Sequence, residues 1–455
     1  MISVSGIRGR VGETLTPEIV ATFAAGFGAW AGERATADGR DRTIVVGRDS
    51  RVSGPMFHRA VIAALQSVGC TTIDVGLVPT PTVQLAVEAH HAAGGLAITA
   101  SHNPIEWNAL KFIGPSGLFL SAEEGAEMRG ATREGIPRAA WDSLGDVRSD
   151  DAAVARHIAR ILSLPYLDIE ATRARKLHVA LDCVRGAGGV IMPALLEQLG
   201  CRVTAINLEP DGRFPHPPEP IPANLGELEA LVAECGADVG FATDPDVDRL
   251  AIVDETGRAI GEDYTLALAT AVVLSRDAGA LGPVVTNLST SRIVDDVAAE
   301  RGVAVVRAPV GEVNVALRMR DEKAPIGGEG NGGVIVPALH LGRDAPAGAA
   351  LIVQLLADAR GETVSQIIGH WPRYVNVKDK VGRPPNGLDG VYDGLRHAFP
   401  EATLDTQDGL RLAWPDAWLH VRPSGTEPIV RVIAEAPTSA RAQGLVTRAR
   451  ALFAI

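Results

Sequence analysis

Short β-branched runs recur along the chain, each followed by a polar loop and apolar positions at helical spacing, and three stretches share one order of elements. The order is strand, loop, helix, strand, then a further strand that ends in an unusual polar loop. In the first stretch the strand Thr43–Val46 precedes GRDSRVSG and the helical pattern of FHRAVIAALQSVG; Thr72–Val75 follows, and GLAIT runs into ASHNP. In the second, His178–Leu181 precedes RGAGG and the helix MPALLEQLG, then comes Val203–Ile206, and ADVGFA runs into TDPDVDR. In the third, Val284–Thr286 precedes a helix around RIVDDVAAERG, then Val303–Val306, and APIGG runs into EGNGG. Strands alternating with helices of this length predict α/β layers with largely parallel pairing. Ligands of such sheets bind beyond the carboxyl ends of the strands, so three polar loops at equivalent strand ends are expected to converge on one cleft.

After about residue 370 the pattern changes to VNVKDKV, a turn-rich segment, WLHVRPSGTEPIVRVIAE and the helical SARAQGLVTRARALF, which predicts a small α+β domain. A chain of 455 residues is too long for one hydrophobic core. Four domains are expected, at 1–153, 154–262, 263–370 and 371–455. Composition then narrows the partners. Lys and Arg number 43 against 55 Asp and Glu, a net charge of −12, which argues against nucleic acid and against an anionic membrane surface as partners. An anionic ligand must be held by local cations. Cys70, Cys183, Cys201 and Cys235 never form a C-x-x-C pair, which argues against a zinc site or a disulfide framework. The start, MISVSGIRGRVGE, puts charges where a secretory signal needs an apolar run, and no apolar stretch of membrane-spanning length follows. A cytoplasmic protein, monomeric or homodimeric, is expected.

Four loops carry candidate chemistry. In Thr99-Ala100-Ser101-His102-Asn103-Pro104, followed by Asn108 and Lys111, the Ser–His pair invites a hydrolase reading. Neighbours leaving a strand are expected to point apart, however, and no G-x-S-x-G elbow exists in the chain. Alone, this loop reads first as a Ser/Asn/Pro turn. In Asp244-Pro245-Asp246-Val247-Asp248-Arg249, three carboxylates at alternate positions offer hard oxygen ligands to one divalent cation, which offsets their mutual repulsion. A calcium-hand loop is excluded, because Arg249 stands where that loop needs Gly and a strand precedes it. Three ligands leave room for waters and a phosphate oxygen, which suits Mg²⁺ at a phosphoryl-transfer site.

The third loop, Gly327 to Gly333, formally contains G-x-G-x-x-G, but VIVPALH after it is strand-like rather than a helix that could receive a pyrophosphate. A loop that lets backbone approach a ligand, with Glu329 and Asn331 facing sugar hydroxyls, and a plain glycine turn both remain open. The fourth, Arg422-Pro423-Ser424-Gly425-Thr426-Glu427-Pro428 with Arg431, offers N–H groups, hydroxyls and guanidinium forks to an anion, or else is a turn between two strands.

Together and in this order, the four loops resemble the α-D-phosphohexomutase family, and the likeness spans nearly the whole chain. Members carry a T-A-S-H-N-P phosphoserine loop, a D-x-D-x-D-R metal loop, a G-E-x-S-G-H sugar loop and an R-x-S-G-T-E-P phosphate loop. The resemblance implies three similar α/β domains with mixed sheets and a smaller C-terminal α+β domain around a central cleft. It implies that Ser101 is the phosphoserine, and that Asp244, Asp246 and Asp248 hold one Mg²⁺ together with an oxygen from Ser101. Arg249 would lie against the reacting phosphate, with Arg8, Lys111 and His102 as further catalytic candidates. Lys111 is the expected acid/base, its pKa depressed beside Mg²⁺ and arginines. Glu329 and Asn331 would contact the sugar, and Arg422, Ser424, Gly425, Thr426 and Arg431 the phosphate that is not reacting.

The implied activity moves phosphate between the 1- and 6-positions of a hexose phosphate through a sugar 1,6-bisphosphate, which also serves as activator. Departures fall mainly in the third loop. Asn331 replaces the usual Ser and Gly333 the usual His, which removes one proton carrier, while Trp107 and Ala109 stand where many members have a Tyr or Asp and a Gly. The G-E-G-N-G-G form with the SVSGIRG start is most similar to phosphoglucosamine and phosphomannose mutases. Glucosamine phosphate is the expected substrate, and a broader phosphomannomutase/phosphoglucomutase is the alternative. A metal-dependent sugar phosphatase, which would lose the phosphoserine to water, and a noncatalytic sugar-phosphate sensor are the other readings.

Overall fold

The computed structural model describes residues 2–3, 6–276, 282–424 and 429–453. Gly425 and Thr426, expected in the distal phosphate loop, lie outside the described residues. Among those described, the strands form four sheets of seven, four, four and five strands. In each of the first three, the first β-branched run becomes a central strand with parallel neighbours on both sides. Thr43–Arg48 lies between Thr71–Leu77 and Gly94–Ile98, His178–Asp182 between Arg202–Ile206 and Val239–Thr243, and Val284–Asn287 between Val305–Ala308 and Gly327–Glu329.

A fourth strand then returns antiparallel beside the third: Trp107–Ile113 in the first unit, Leu250–Val253 in the second and Gly333–Ile335 in the third. The sheets are therefore mixed, and the three polar loops are the same hairpin connection in three copies. The first sheet is wider because Gly6–Arg10 pairs antiparallel with Trp107–Ile113, which puts Arg8 opposite Ala109, while Val147–Ser149 closes the other edge.

Two features differ from the sequence reading. The second and third strands of each unit are joined by a helix, at Thr80–Ala89, Gly226–Cys235 and Glu312–Glu322. Parallel neighbours require such a crossover, so the shorter repeat could not have closed its sheet. The turn-rich segment of the C-terminal unit contains the helix Asp389–Ala398 and the strands Thr403–Asp405 and Leu410–Ala413. Those strands complete an antiparallel sheet with Trp418–Pro423, Ile429–Ala436 and Val375–Gly382, packed against the helix Ser439–Ala451.

The first unit keeps its own core around Phe27, Leu96 and Phe112, and the C-terminal unit around Leu395, Leu419 and Val432. The second and third share one: Leu181, Phe241 and Ile252 are continuous with Leu266 and Leu351. That fusion holds the second and third hairpin loops in fixed register. The four cysteines are free. No helix among the described residues is long and apolar enough to cross a membrane.

Candidate active site

The strand Gly94–Ile98 delivers Ser101 to a bend where its φ is +50°, a left-handed conformation uncommon for a residue with a Cβ. Surrounding bonds enforce it. The Ser101 N–H donates to Thr99 Oγ1 (3.0 Å), and Arg51 donates to the carbonyls of Ser101 (2.5 Å), Asn103 (2.7 Å), Pro104 (2.8 Å) and Trp107 (3.0 Å). Arg51 is fully buried, and its charge is met by Asp49 at 3.1 Å, which also accepts from Thr99 Oγ1 at 2.6 Å. Burial lowers the pKa of Arg51 and raises that of Asp49, each partly offset by the other. Sequence reasoning passed over both residues, although GRDSR stands at the end of the first strand.

The bend overturns the expectation that Ser101 and His102 point apart. Ser101 Oγ lies 3.2 Å from His102 Nδ1, because side chains alternate only while backbone stays extended. The cationic Arg249, then burial, then Arg8 push the His102 pKa well below the usual imidazole range, so the ring is neutral and a weak base.

In the second hairpin, Val247 turns the chain at φ +65°, and the carboxylates of Asp244, Asp246 and Asp248 are buried with ligand atoms within 4.8 Å of one another. Asp244 Oδ2 accepts from Ser101 Oγ (2.9 Å), and its Oδ1 from the N–H groups of Asp248 (3.2 Å) and Arg249 (3.3 Å). Asp246 Oδ2 accepts from Lys111 Nζ and Thr80 Oγ1, both at 2.7 Å. Asp248 Oδ2 accepts from Arg343 Nη2 at 2.5 Å.

Asp246 Oδ1 and Asp248 Oδ1 are buried with no hydrogen-bond partner. Such orphaned oxygens are unfavourable unless something meets them. Burial, then Asp248 and Asp246, push the Asp244 pKa well above the carboxylate range. A hard divalent cation fits this donor set, since it would meet both orphans and relieve the repulsion.

Lys111 lies 2.7 Å from Asp246 Oδ2 and 3.8 Å from Asp248 Oδ2. Burial lowers its pKa, but Asp246 and Asp248 outweigh burial and raise it; Mg²⁺ bound to those carboxylates would act in the opposite direction. Arg8 donates to Asn103 Oδ1 at 2.6 Å, its pKa lowered mainly by burial. Arg249 lies 3.7 Å from Asp248 Oδ1 and 3.8 Å from Glu219 Oε1.

In the third hairpin, Glu329 is buried. Its Oε1 accepts from Asn287 Nδ2 (2.8 Å) and the Gly311 N–H (3.1 Å), and its Oε2 from Arg343 Nη1 (2.7 Å) and Asn331 Nδ2 (3.5 Å). Burial would raise the Glu329 pKa, but Arg343 and Asn287 turn the balance downward, so it is ionised. Asn331 also accepts from the Gly333 N–H at 3.2 Å.

The C-terminal sheet carries the remaining candidates. Arg422 and Arg431 are register partners on adjacent strands, and Arg431 is in turn opposite Lys380. Like charges in one cross-strand row are destabilising unless an anion joins them. Lys380 is a residue the sequence did not flag. Asp408 Oδ2 accepts from Arg422 Nε (2.8 Å) and from the Val310 N–H (3.1 Å), and Ser289 Oγ lies 2.8 Å from His420 Nδ1. These bonds seat the sheet on the third unit. The Ser424 N–H donates to the Ile429 carbonyl at 2.9 Å.

A buried carboxylate triad faced by a serine from one α/β unit and tethered to another, with a row of cations in a fourth, defines a multidomain α/β enzyme of phosphoryl transfer. Residues 2–136, 155–257 and 261–374 match the families described as Phosphoglucomutase/phosphomannomutase, alpha/beta/alpha domains I, II and III, and residues 393–452 match the C-terminal domain of the same series. The chain belongs to the α-D-phosphohexomutase family and is a phosphohexomutase.

It is 39% identical over 447 residues to a phosphoglucomutase/phosphomannomutase of Thermococcus kodakarensis, covering 96% of this chain and 95% of that one. A protein of Methanopyrus kandleri named "Probable phosphoglucosamine mutase" is 38% identical over 446 residues, covering 97% and 95%. The crystal structure of a phosphoglucomutase/phosphomannomutase family protein from Burkholderia thailandensis superposes with a TM-score of 0.85 at 26% identity, covering 99% of this chain and 96% of that one.

Proposed function

We propose that this phosphohexomutase interconverts glucosamine 6-phosphate and glucosamine 1-phosphate, with Ser101 carrying the phosphoryl group in transit. The observation that carries the Ser101 assignment is its 2.9 Å hydrogen bond to Asp244 across the seam of two units, inside a carboxylate triad with two orphaned oxygens. Asp244, Asp246 and Asp248 would hold Mg²⁺, which when bound neutralises charge on the transferring phosphoryl oxygens.

Phosphoserine gives its phosphoryl group to a free substrate hydroxyl: the Oγ–P bond breaks, Oγ keeps the electron pair, and the new O–P bond yields the 1,6-bisphosphate. The bisphosphate turns over in the cleft, and its other phosphate returns to Ser101. Lys111 serves as acid/base: its ammonium gives a proton to Ser101 Oγ as the Oγ–P bond breaks and regains one from the substrate hydroxyl that takes the phosphoryl group, while Arg8 and Arg249 add positive charge against the reacting phosphate. His102, kept neutral, orients Ser101 Oγ. Arg422, Ser424, Gly425, Thr426 and Arg431 hold the distal phosphate, and Glu329 and Asn331 meet the sugar hydroxyls. The working units in this reading are 1–153, 154–262, 263–370 and 371–455.

The G-E-G-N-G-G loop and the Methanopyrus kandleri relative support glucosamine; the name of the Thermococcus kodakarensis relative supports the second reading, a mutase acting on glucose and mannose phosphates. The deciding measurement is kcat/KM on glucosamine, glucose and mannose phosphates. A preference for glucosamine of about tenfold or more is expected, and comparable values would establish the broader enzyme. Ser101→Ala is expected to abolish turnover while still binding substrate; an active variant would sink the phosphoserine relay. Chelation is expected to stop turnover and added Mg²⁺ to restore it. A trace of glucose 1,6-bisphosphate is expected to shorten the lag of dephosphorylated enzyme.

A further inference from the structure

Gly333 ends the third hairpin loop directly opposite Glu329 in the strand register. Its φ is ordinary, so glycine is not required there for backbone freedom. Space requires it instead. A Cβ at Gly333 would stand 2.2 Å from Arg343 Cδ and 3.0 Å from Arg343 Cγ. The aliphatic stem of Arg343 thus fills the volume into which the imidazole of a G-E-x-S-G-H loop would project.

From that position the guanidinium reaches three carboxylates. Nη1 donates to Glu329 Oε2 at 2.7 Å, Nη2 to Asp248 Oδ2 at 2.5 Å, and Nε lies 3.1 Å from Glu312 Oε2. The Arg343 N–H also donates to Glu312 Oε1 at 3.1 Å, which fixes the base of the side chain. All four side chains are buried. Asp248 is thereby divided, one oxygen held by Arg343 and the other orphaned.

We propose that Arg343 is a positioning residue of this mutase: lying across Gly333, it clamps the sugar-loop carboxylate Glu329 to the metal-loop carboxylate Asp248 and so fixes where the hexose sits relative to the reaction centre. The inference rests on the reading of Glu329 as a sugar contact. A planar fork with donors at a fixed angle holds two carboxylates in one geometry, which an ammonium on a flexible stem does not. Partners that orient a ligand's outer oxygen matter to a site almost as much as the ligand itself. Arg343 replaces the imidazole in volume and in charge near the sugar, not as a proton carrier.

The test is a double-mutant cycle on glucose 6-phosphate binding by isothermal titration calorimetry, using wild type, Arg343→Gln, Glu329→Gln and the double variant, with Mg²⁺ titrated separately. Each single substitution is expected to weaken glucose 6-phosphate binding at least tenfold, with the double variant no weaker than the worse single. Arg343→Gln is expected to leave Mg²⁺ binding equal or tighter, because a cation touching Asp248 has been removed. Arg343→Lys is expected to stay within threefold of the Gln variant.

Gly333→Ala, which keeps the guanidinium but displaces its stem, is expected to weaken binding in the wild type and to be neutral in an Arg343→Ala background. Losses that multiply in the Glu329 cycle, or binding within twofold of wild type in Arg343→Gln, would overturn the proposal, as would full rescue by lysine. Failure of the reading of Glu329 as a sugar contact shows separately, as Glu329→Gln binding glucose 6-phosphate within twofold of wild type, so the two outcomes are separable.

Discussion

Arg51 gives its guanidinium donors to Asp49 and to the backbone of the loop that bends Ser101, and that use sets what its removal does. Arg51→Met should leave Asp49 buried without its cation and take a donor from each of four carbonyls, a loss of about 3–5 kcal/mol in chemical denaturation. The pair Asp49→Asn with Arg51→Met should lose less than Arg51→Met alone, which a three-variant series would show. At this scale the sequence was legible where chemistry lies within a few neighbouring residues. The three aspartates declare themselves by spacing, whereas Ser101 reads alone as a turn residue and stands out only when the four loops are taken together. Arg51, Thr80 and Arg343 do neither, because each reads alone as an ordinary polar side chain and acquires its partner only through strand register or docking. The Ser101–His102 geometry was misread for the same reason, since it depends on a backbone turn.

Between elements, a heavily bonded junction lies at the start of the helix Ala345–Asp358. Asp344 caps it by accepting from the Ala347 N–H (2.8 Å), and its Oδ2 also faces His157 Nε2 (2.7 Å) and His340 Nε2 (2.9 Å). His157 in turn contacts Thr82 Oγ1 at 2.8 Å, so the capping carboxylate joins segments of three units. Burial would raise the Asp344 pKa, but the two histidines outweigh it and hold the carboxyl well below the usual range. A depressed carboxyl contributes stability above its unfolded value of about 4 and loses it as pH falls further. Asp344→Asn should therefore lose stability at pH 7 and show a smaller decline in Tm than wild type between pH 6 and pH 3. Element order was legible because parallel α/β units repeat one hydrophobic rhythm. The crossover helices were missed, although the parallel pairing expected from that rhythm requires them.

Across the whole molecule, the seam between the third unit and the C-terminal sheet carries two carboxylates close together. Asp263 accepts from the Ser291 N–H at 2.9 Å, and Glu435 accepts from the Arg292 N–H and Trp418 Nε1, both at 2.9 Å. Burial, then the charge of Glu435, push Asp263 up to about 7; Glu262 adds to this and Lys378 opposes it. A raised carboxyl contributes stability that is complete below its ordinary value and lost as pH rises through the folded one. Wild type should accordingly lose Tm between pH 5 and pH 8, and Asp263→Asn should flatten that slope, with the higher Tm of the two at pH 8. Four units in order were readable from the sequence. The fused core of the second and third was not, since buried apolar residues do not announce which unit they face.

The contact between Arg343 and Gly333 also bears on how these proteins can be recombined. A crossover that imports the whole of residues 261–374 from a relative carries both positions together and meets, in the recipient, an aspartate at 248 ready for whichever partner arrives. A crossover placed between 333 and 343 can instead join an imidazole to an arginine stem whose carbon lies 2.2 Å from where its Cβ must go. Chimeras of the first kind should be functional and of the second kind defective, so the segment from 333 to 343 behaves as one heritable block.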